Sequence, residues 1–310
     1  MARNDVTVQQ LRYFAMAAEL GSMTRAAQEL RVAQSAVSFA VAQLESQLGA
    51  QLFIRMRSKG LALTAEGARF VTDAKQLIDQ LDDAVESTRG AARQLTGVVR
   101  IACFLTLTPF IVPQVLNKIG KKYPGIDVQV SEVDTENARD ALHSGRADLA
   151  ITYDFGFGPG IERRALARAE PYLALPAAHR LASRESASLT ELAAEDFVLL
   201  DVPFSREYFL NLLAASGLQP RIRYRSRSYE TVRALVARGL GFSILNQKPV
   251  SNETYDGGHV ATVTLTGDHE PLPIVLARPR SERHTARARA VADLLSSSPW
   301  TTDAGEGEPR

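Results

Sequence analysis

The sequence predicts a protein of three parts: an all-α N-terminal region, a long helix, and a C-terminal α/β region. Apolar residues recur at helical spacing up to about residue 62. A narrower heptad spacing follows up to about residue 95. Beyond it, short apolar runs alternate with amphipathic segments, which is the pattern of strands and helices in an α/β fold.

Composition narrows the class of protein. The chain has 310 residues, of which 45% are hydrophobic and 23% charged, so it can form two or three folded units. Its net charge of +1 argues against a protein that coats nucleic acid with its whole surface. Residues 1–60 nevertheless carry seven Lys and Arg against four Asp and Glu, whereas residues 61–95 carry four against six. Any contact with nucleic acid is therefore expected in the N-terminal region.

Cysteine and histidine usage argues against a protein held by disulfides or built around a metal site. The one cysteine, Cys103, lies in an apolar run and cannot form a disulfide within the chain. The five histidines are scattered without the spacing of metal ligands, so no metal or other cofactor is predicted. The N-terminus lacks a basic segment followed by an apolar run, and no stretch of eighteen uncharged apolar residues occurs. We therefore expect a cytoplasmic protein without membrane association.

Three helices are predicted in the N-terminal region from the signals at their ends. Thr7 and Gln10 fit a capping box, and this first helix is expected to end near Gly21. Ser22 can cap a second helix. After the short interruption RVA, a third helix is expected over residues 34–48.

The second and third helices form a recognisable pattern. Two short helices joined by a three-residue turn, with small polar residues on the first turn of the second helix, match a helix-turn-helix that inserts into the DNA major groove. An ordinary helical hairpin is the alternative. Residues 52–64, LFIRMRSKGLALT, then predict a two-stranded hairpin around the basic tip RSKG. A basic wing here favours the DNA-binding interpretation because it can contact phosphates.

Five motifs follow one another between residues 11 and 67: L-x-x-F, G-S-x-T-x-A-A-x-x-L, Q-S-A-V-S, L-E-x-x-L-G-x-x-L-F-x-R and L-T-x-x-G. With them the stretch resembles the DNA-binding domain of the LysR-type transcriptional regulators. The resemblance implies a winged helix-turn-helix that binds double-stranded DNA. The expected contacts are Gln34, Ser35, Ser38 and Phe39 on the third helix, with Arg31, Arg55, Arg57 and Lys59 around it. Phe39 and Ala42 stand where the family often has basic or polar residues, and Ala33 replaces a common Ser or Thr cap.

A heptad pattern runs through residues 63–95. Its members are Phe70, Ala74, Leu77, Leu81 and Ala84. On a helix these residues form a narrow apolar stripe, the seam, which indicates a long helix that pairs with another helix. The alternative is a long helix that packs on its own domain. The family resemblance implies a linker helix that pairs two subunits, in a homodimer or homotetramer.

Residues from about 96 onward alternate between predicted strands and helices. VVRIACF, IDVQVSEV and ADLAITY are expected to be strands. Thr108 and Pro109 are expected to supply the cap and the first-turn proline of one helix, and Thr135 is expected to cap another. The same alternation recurs between about residues 195 and 279. This order predicts an α/β arrangement with a parallel sheet, divided into two lobes with a cleft between them.

Motifs in this region, G-x-V-R-I, L-x-x-G-R-A-D-L-A-I and VRALVARGLGFSIL, also resemble the family's effector-binding domain. The resemblance implies a two-lobed fold similar to periplasmic binding proteins, with lobe one at 96–168 and 270–300 and lobe two at 169–269. An anionic small-molecule effector is expected in the cleft, where strand ends and helix starts offer N–H groups. The matching positions are Thr106, Thr108, Thr135, Pro203, Phe204 and Ser205. Thr108 and Thr135 could instead be helix caps and nothing more.

Three hypotheses remain for the whole chain. A sequence-specific transcription factor that is not an enzyme explains the wing, the seam and the lobes together; its partners would be DNA, an effector, further copies of the chain and potentially the transcription machinery. An enzyme tethered to DNA would need a nucleophile with a base, or a metal cluster, and neither pattern occurs in the sequence. A transport protein is disfavoured by the missing leader. The expected domains are residues 1–62, 63–95 and 96–300, followed by a disordered tail at 301–310.

Overall fold

The structure, a computed structural model, describes residues 5–56, 60–88, 95–267, 269–280, 284–297 and 300. Its contacts divide the chain into two compact units, the first mainly residues 1–94 and the second mainly residues 95–310. The predicted tail at 301–310 and the wing residues Arg57 and Lys59 lie outside the described residues. No helix in the described ranges is long and apolar enough to cross a membrane.

The first unit combines helices with a β-hairpin. In chain order its elements are α1 (Val8–Leu20), α2 (Met23–Leu30), α3 (Gln34–Leu48), β1 (Phe53–Met56), β2 (Gly60–Leu63) and α4 (Ala65–Thr88). The predicted capping box is confirmed, because the Thr7 hydroxyl accepts from the Gln10 N–H and the Gln10 side chain accepts from the Thr7 N–H at 2.7 Å. Ser22 likewise accepts from the Arg25 N–H at 3.3 Å. Gly21 ends α1 in the left-handed conformation, with φ +60°.

Packing around Phe14 holds the first unit together. Its buried ring lies 5.3 Å from the ring of Phe53 in β1 and 5.5 Å from the ring of Phe70 in α4. One side chain of α1 therefore joins the hairpin and the long helix to a single core. The buried face of α3 consists of Val37, Val41 and Leu44. Since this apolar stripe faces the core, the opposite side of α3 remains in solvent.

The second unit alternates strands and helices. In chain order its elements are β3 (Gly97–Phe104), α5 (Thr108–Lys122), β4 (Ile126–Val133), α6 (Thr135–His143), β5 (Leu149–Tyr153), β6 (Ile161–Ala169), β7 (Tyr172–Pro176), β8 (Ser186–Ser188), a 3-10 helix (Leu189–Leu192), β9 (Asp196–Leu200), α7 (Ser205–Ala215), β10 (Arg221–Ser226), α8 (Tyr229–Ala237), β11 (Ser243–Leu245), β12 (Val260–Thr266), β13 (Leu272–Pro279) and α9 (Ala286–Ser296).

A five-stranded sheet in the order β4-β3-β5-β13-β6 forms the part that we call lobe one. β3 pairs in parallel with β4 and β5, but β13 pairs antiparallel with β5 and with β6. The predicted parallel sheet is therefore wrong for one half of this lobe. The reason is that β13 follows lobe two in the chain and enters the sheet from the opposite end.

The part that we call lobe two contains a four-stranded sheet in the order β11-β7-β12-β8 and the parallel pair β10-β9. The chain passes between the lobes twice, from β6 to β7 and from β12 to β13. Buried apolar residues of both lobes belong to one hydrophobic cluster. The lobes thus share a continuous core, and the ends of their strands meet around the space between them.

Candidate functional site

The solvent-facing side of α3 carries a compact set of uncharged side chains. Gln34, Ser35 and Phe39 are exposed, and Ser38 is half-buried. Gln34 Nε2 donates a hydrogen bond to Ser38 Oγ at 2.8 Å, which orients the amide over the first turn of the helix. Ala33, at the N-cap, makes no side-chain hydrogen bond, so the first N–H groups of α3 stay open to an external acceptor. This turn can therefore donate to phosphate or base oxygens.

Basic residues flank this face of α3. Arg31 ends α2 in the left-handed conformation, with φ +55°, and is exposed. Arg55 lies in β1, where its backbone pairs with Leu61 of β2. Glu45 of α3 accepts hydrogen bonds from backbone N–H groups at the start of the hairpin, with that of Leu52 at 2.7 Å. The hairpin and α3 are thereby held together, which keeps β1 beside α3.

A cavity lies between the two lobes of the second unit. Most of the residues that line it follow a strand or begin a helix. They are Thr106, Tyr153, Leu200, Ser205, Phe209, Tyr229, Asn246, Gln247 and Leu272. None of these described lining residues is charged, so hydroxyl and amide groups provide the polarity of the cavity.

Gln247 links the two lobes through hydrogen bonds. Its carbonyl oxygen accepts from the hydroxyl of Tyr172 at 2.9 Å and from that of Tyr229. Its Nε2 donates to the hydroxyl of Tyr153 in lobe one at 3.1 Å. Burial raises the pKa of Tyr153, and hydrogen bonds with Thr106 and Gln247 oppose this shift. The phenol therefore remains protonated at neutral pH and can donate as well as accept.

Two amide side chains in the cavity have polar atoms without partners. Both amide atoms of Asn246, and Oε1 of Gln247, are buried and lack a partner at normal hydrogen-bond distance in the described part of the chain, although the Tyr208 hydroxyl lies close to the Asn246 amide. Asn246 is only 6% exposed and Gln247 only 1%. Because buried polar atoms in folded proteins nearly always have a partner, these atoms indicate a place for a ligand or an ordered water.

Two family models match most of the chain. Residues 8–68 match the model described as bacterial regulatory helix-turn-helix protein, lysR family, and residues 92–299 match the model described as LysR substrate binding domain. The chain belongs to the LysR family. The predicted fold class, a winged helix-turn-helix with a linker helix and a two-lobed α/β domain, is thereby confirmed.

Similar proteins agree with this assignment. The uncharacterized HTH-type transcriptional regulator YnfL of Escherichia coli is 31% identical over 92% of this chain and 96% of its own. A probable hydrogen peroxide-inducible genes activator of Streptomyces viridosporus is 31% identical over 94% of each chain. The crystal structure of HinK, a LysR family transcriptional regulator from Pseudomonas aeruginosa, is 34% identical over 94% of this chain and 98% of its own, with a TM-score of 0.63. This LysR-family protein is a DNA-binding transcriptional regulator with an effector-binding domain.

The heptad positions of α4 in this LysR-family regulator lie in two environments. Ala74 is fully buried and Phe70 packs beside it in the core of the first unit. Leu77 and Leu81 are 53% and 38% exposed, and Ala84 is also exposed. The first two members of the seam therefore stabilise their own domain, and the later members form an apolar ridge at the surface.

Two of the residues predicted to contact an effector, Thr106 and Ser205, line the cavity of this regulator. Pro203 and Phe204 do not line it. Phe204 instead precedes α7 with φ +64° and stacks its ring on that of Phe155 at 5.8 Å. A positive φ at a bulky residue is strained, and the ring stacking helps to hold it.

Neither of the two predicted threonine caps is a cap. Thr108 is the first residue of α5, and its hydroxyl donates to the Phe104 carbonyl oxygen at 3.3 Å, so it does not enter the cavity. At α6, Asp134 Oδ1 accepts from the Asn137 N–H at 3.0 Å and takes the capping role. Thr135 follows it as the first helical residue, buried, with a hydroxyl that has no partner among the described residues.

Four polar residues of the cavity are absent from the sequence-based prediction: Tyr153, Tyr229, Asn246 and Gln247. They come from distant parts of the chain, so no local motif connects them. One signal was available, because the polar pair Asn246-Gln247 directly follows the buried strand SIL, at a strand end of the kind that lines ligand sites in α/β folds.

Proposed function

We propose that this regulator recognises its operator through the exposed face of α3. Gln34, Ser35 and Ser38 would contact base edges, since they lie on the first turns of the second helix of a helix-turn-helix. The phosphate contacts would come from Arg31, Arg55, Arg57 and Lys59. The exposed, uncapped start of α3 and the Gln34–Ser38 hydrogen bond support this assignment. Residues 1–62 would then be the DNA-binding domain.

We also propose that residues 63–95 pair two subunits through α4. Leu77 and Leu81 of this apolar ridge, together with the neighbouring Val85, are each at least 38% exposed, which supports this role because such a surface is unfavourable in water. A two-fold pair of α4 helices would place two winged helices on a two-fold-related DNA site. The assembly would be a homodimer or a homotetramer.

We propose, finally, that a small carboxylic acid occupies the interlobe cavity as the effector. The unpartnered amides of Asn246 and Gln247 are the observation that carries this proposal. The hydroxyls of Thr106 and Ser205 and the Asn246 amide can donate to a carboxylate, and the free amide oxygens can accept from a second polar group of the same molecule. Thr135, whose buried hydroxyl also has no partner among the described residues, does not line this cavity and is left out of the proposed site.

A thermal-shift screen of small carboxylates, followed by calorimetric titration, tests the effector site. A ligand at a hundred times its dissociation constant stabilises the folded state by about 2.7 kcal/mol, which such a screen detects. Thr106→Val should weaken binding by roughly 0.5 to 1.5 kcal/mol, or about 1.5 to 3 if the hydroxyl bonds the charged group. Thr108→Val is the matched control, because its hydroxyl bonds the main chain outside the cavity. Unchanged affinity in Thr106→Val would contradict the site.

A further inference from the structure

Phe39 projects from the side of α3 that lies opposite the core. It is two residues from both Val37 and Val41, which are buried, and two residues correspond to about 200° around a helix. The Phe39 side chain is accordingly 71% exposed. It belongs to no hydrophobic cluster and makes no ring contact within the described part of the chain.

The neighbours of Phe39 on this face are uncharged. Ser35 lies one turn before it and Ala42 one turn after it, and both are exposed. Glu45 is the one charged residue in the sequence of α3, and its carboxylate is occupied by the N–H groups of Leu52 and Phe53. Phe39 and Ala42 therefore offer no charge that could attract a phosphate or form an ion pair.

An exposed aromatic ring on a DNA-facing helix has a specific complement in the major groove. Every base pair presents hydrogen-bonding groups there, but only thymine adds an apolar feature, its 5-methyl group. A phenyl ring flanked by an alanine matches a methyl group and leaves no polar group of its own without a partner. The alternative complement, a phosphate, would require a cation or an N–H group at this position.

We propose that Phe39, with Ala42 beside it, contacts the 5-methyl group of a thymine and makes the operator require thymine at that position. The proposal rests on the role of α3 proposed above. Gln34 and Ser38 would recognise adjacent base pairs by hydrogen bonds. One part of the exposed face of α3 would thus make polar contacts with bases, and the part around Phe39 would make apolar contacts. Specificity would thus depend on a methyl group in addition to the hydrogen-bonding pattern.

Selection of binding sites from random DNA, followed by removal of single methyl groups, tests this contact. Sites selected by the wild-type chain should share a thymine that sites selected by Phe39→Ala do not. Replacing that thymine by deoxyuridine removes only the methyl group and should weaken wild-type binding about fourfold. Phe39→Ala should bind the two DNAs equally, and Phe39→Leu should keep part of the preference. Val8→Ala, which truncates another exposed apolar residue of the first unit, should behave as wild type.

The uracil measurement on the wild-type chain needs no variant, so a folding defect cannot obscure it. Equal wild-type affinity for thymine and uracil at every selected position would overturn the proposal. The same uracil effect in Phe39→Ala would assign the methyl contact to another residue and would overturn it as well. If α3 did not recognise DNA sequence, the wild-type chain would select no common sequence at all. That result differs from the loss of the Phe39 contact alone, in which a common sequence is still selected.

Discussion

Cys103 has an environment that suppresses thiol chemistry. It lies in β3 with no exposed surface, and burial raises the pKa of its thiol to about 12. At pH 8 only about one molecule in 10,000 would carry the thiolate, which is the reactive form. The one cysteine of this chain is therefore assigned to the core of lobe one.

The reactivity of Cys103 is open to direct measurement. Alkylation by iodoacetamide at pH 8 should be more than about a hundredfold slower in the native protein than in urea, because both burial and the raised pKa protect the thiol. Hydrogen peroxide should leave DNA binding unchanged, as it should in Cys103→Ala. Native alkylation as fast as in urea would show that the thiol is accessible and ionised.

At the start of α6, the carboxylate of Asp134 has two roles. Asp134 Oδ1 caps the helix through the Asn137 N–H, and Oδ2 pairs with Arg227 at 3.2 Å. Arg227 lies between β10 and α8, so this ion pair joins lobe two to lobe one. The Arg227 side chain is largely exposed, which limits what the ion pair contributes to stability.

Substitutions at Asp134 should separate the cap from the ion pair. Arg227→Ala and Asp134→Asn each remove the ion pair and should lower the free energy of unfolding by at most about 1 kcal/mol. Asp134→Ala also removes the cap and should cost about 0.5 to 2 kcal/mol more. Urea unfolding of the four proteins measures these differences. If Asp134→Ala were no less stable than Arg227→Ala, the capping role would be wrong.

The exposed ridge of α4 leads to a prediction about assembly. Leu81→Asp should place a charge without a partner in an apolar interface, so light scattering should show a smaller assembly and DNA binding should weaken. Gln80→Asp is the matched control, because it adds the same charge at an exposed position beside the ridge. An unchanged mass for Leu81→Asp would mean that α4 does not pair subunits.

Across the whole molecule, local signals in the sequence predicted local structure well. The capping box at Thr7, the cap at Ser22 and the hairpin of residues 53–63 depend on residues close in the chain, and each is confirmed. The direction of β13 depends on a crossover from lobe two, which no local pattern records. The cap of α6 was assigned to Thr135 because the competing acceptor, Asp134, lies just one residue earlier.

The residues that line the cavity could likewise be predicted only in part from local sequence. Thr106 and Ser205 were predicted because each stands where a strand gives way to a helix, a position visible in the sequence. Tyr229, Asn246 and Gln247 reach the same space from lobe two, so their proximity to lobe one follows from packing of the whole second unit. The prediction therefore included two residues that line the cavity but missed the amides that are without partners.

A comparison of selected with shuffled DNA shows whether α3 recognises DNA sequence. Fluorescence anisotropy at physiological salt should show that the wild-type chain binds a selected site at least about 1,000-fold more tightly than shuffled DNA. Gln34→Ala should lose about 1 to 3 kcal/mol on the selected site and little on shuffled DNA. Lys59→Ala should weaken both alike and reduce the salt slope by about one. Equal wild-type affinity for the two DNAs would contradict sequence-specific recognition by α3. Equal losses for both variants on both DNAs would contradict it as well.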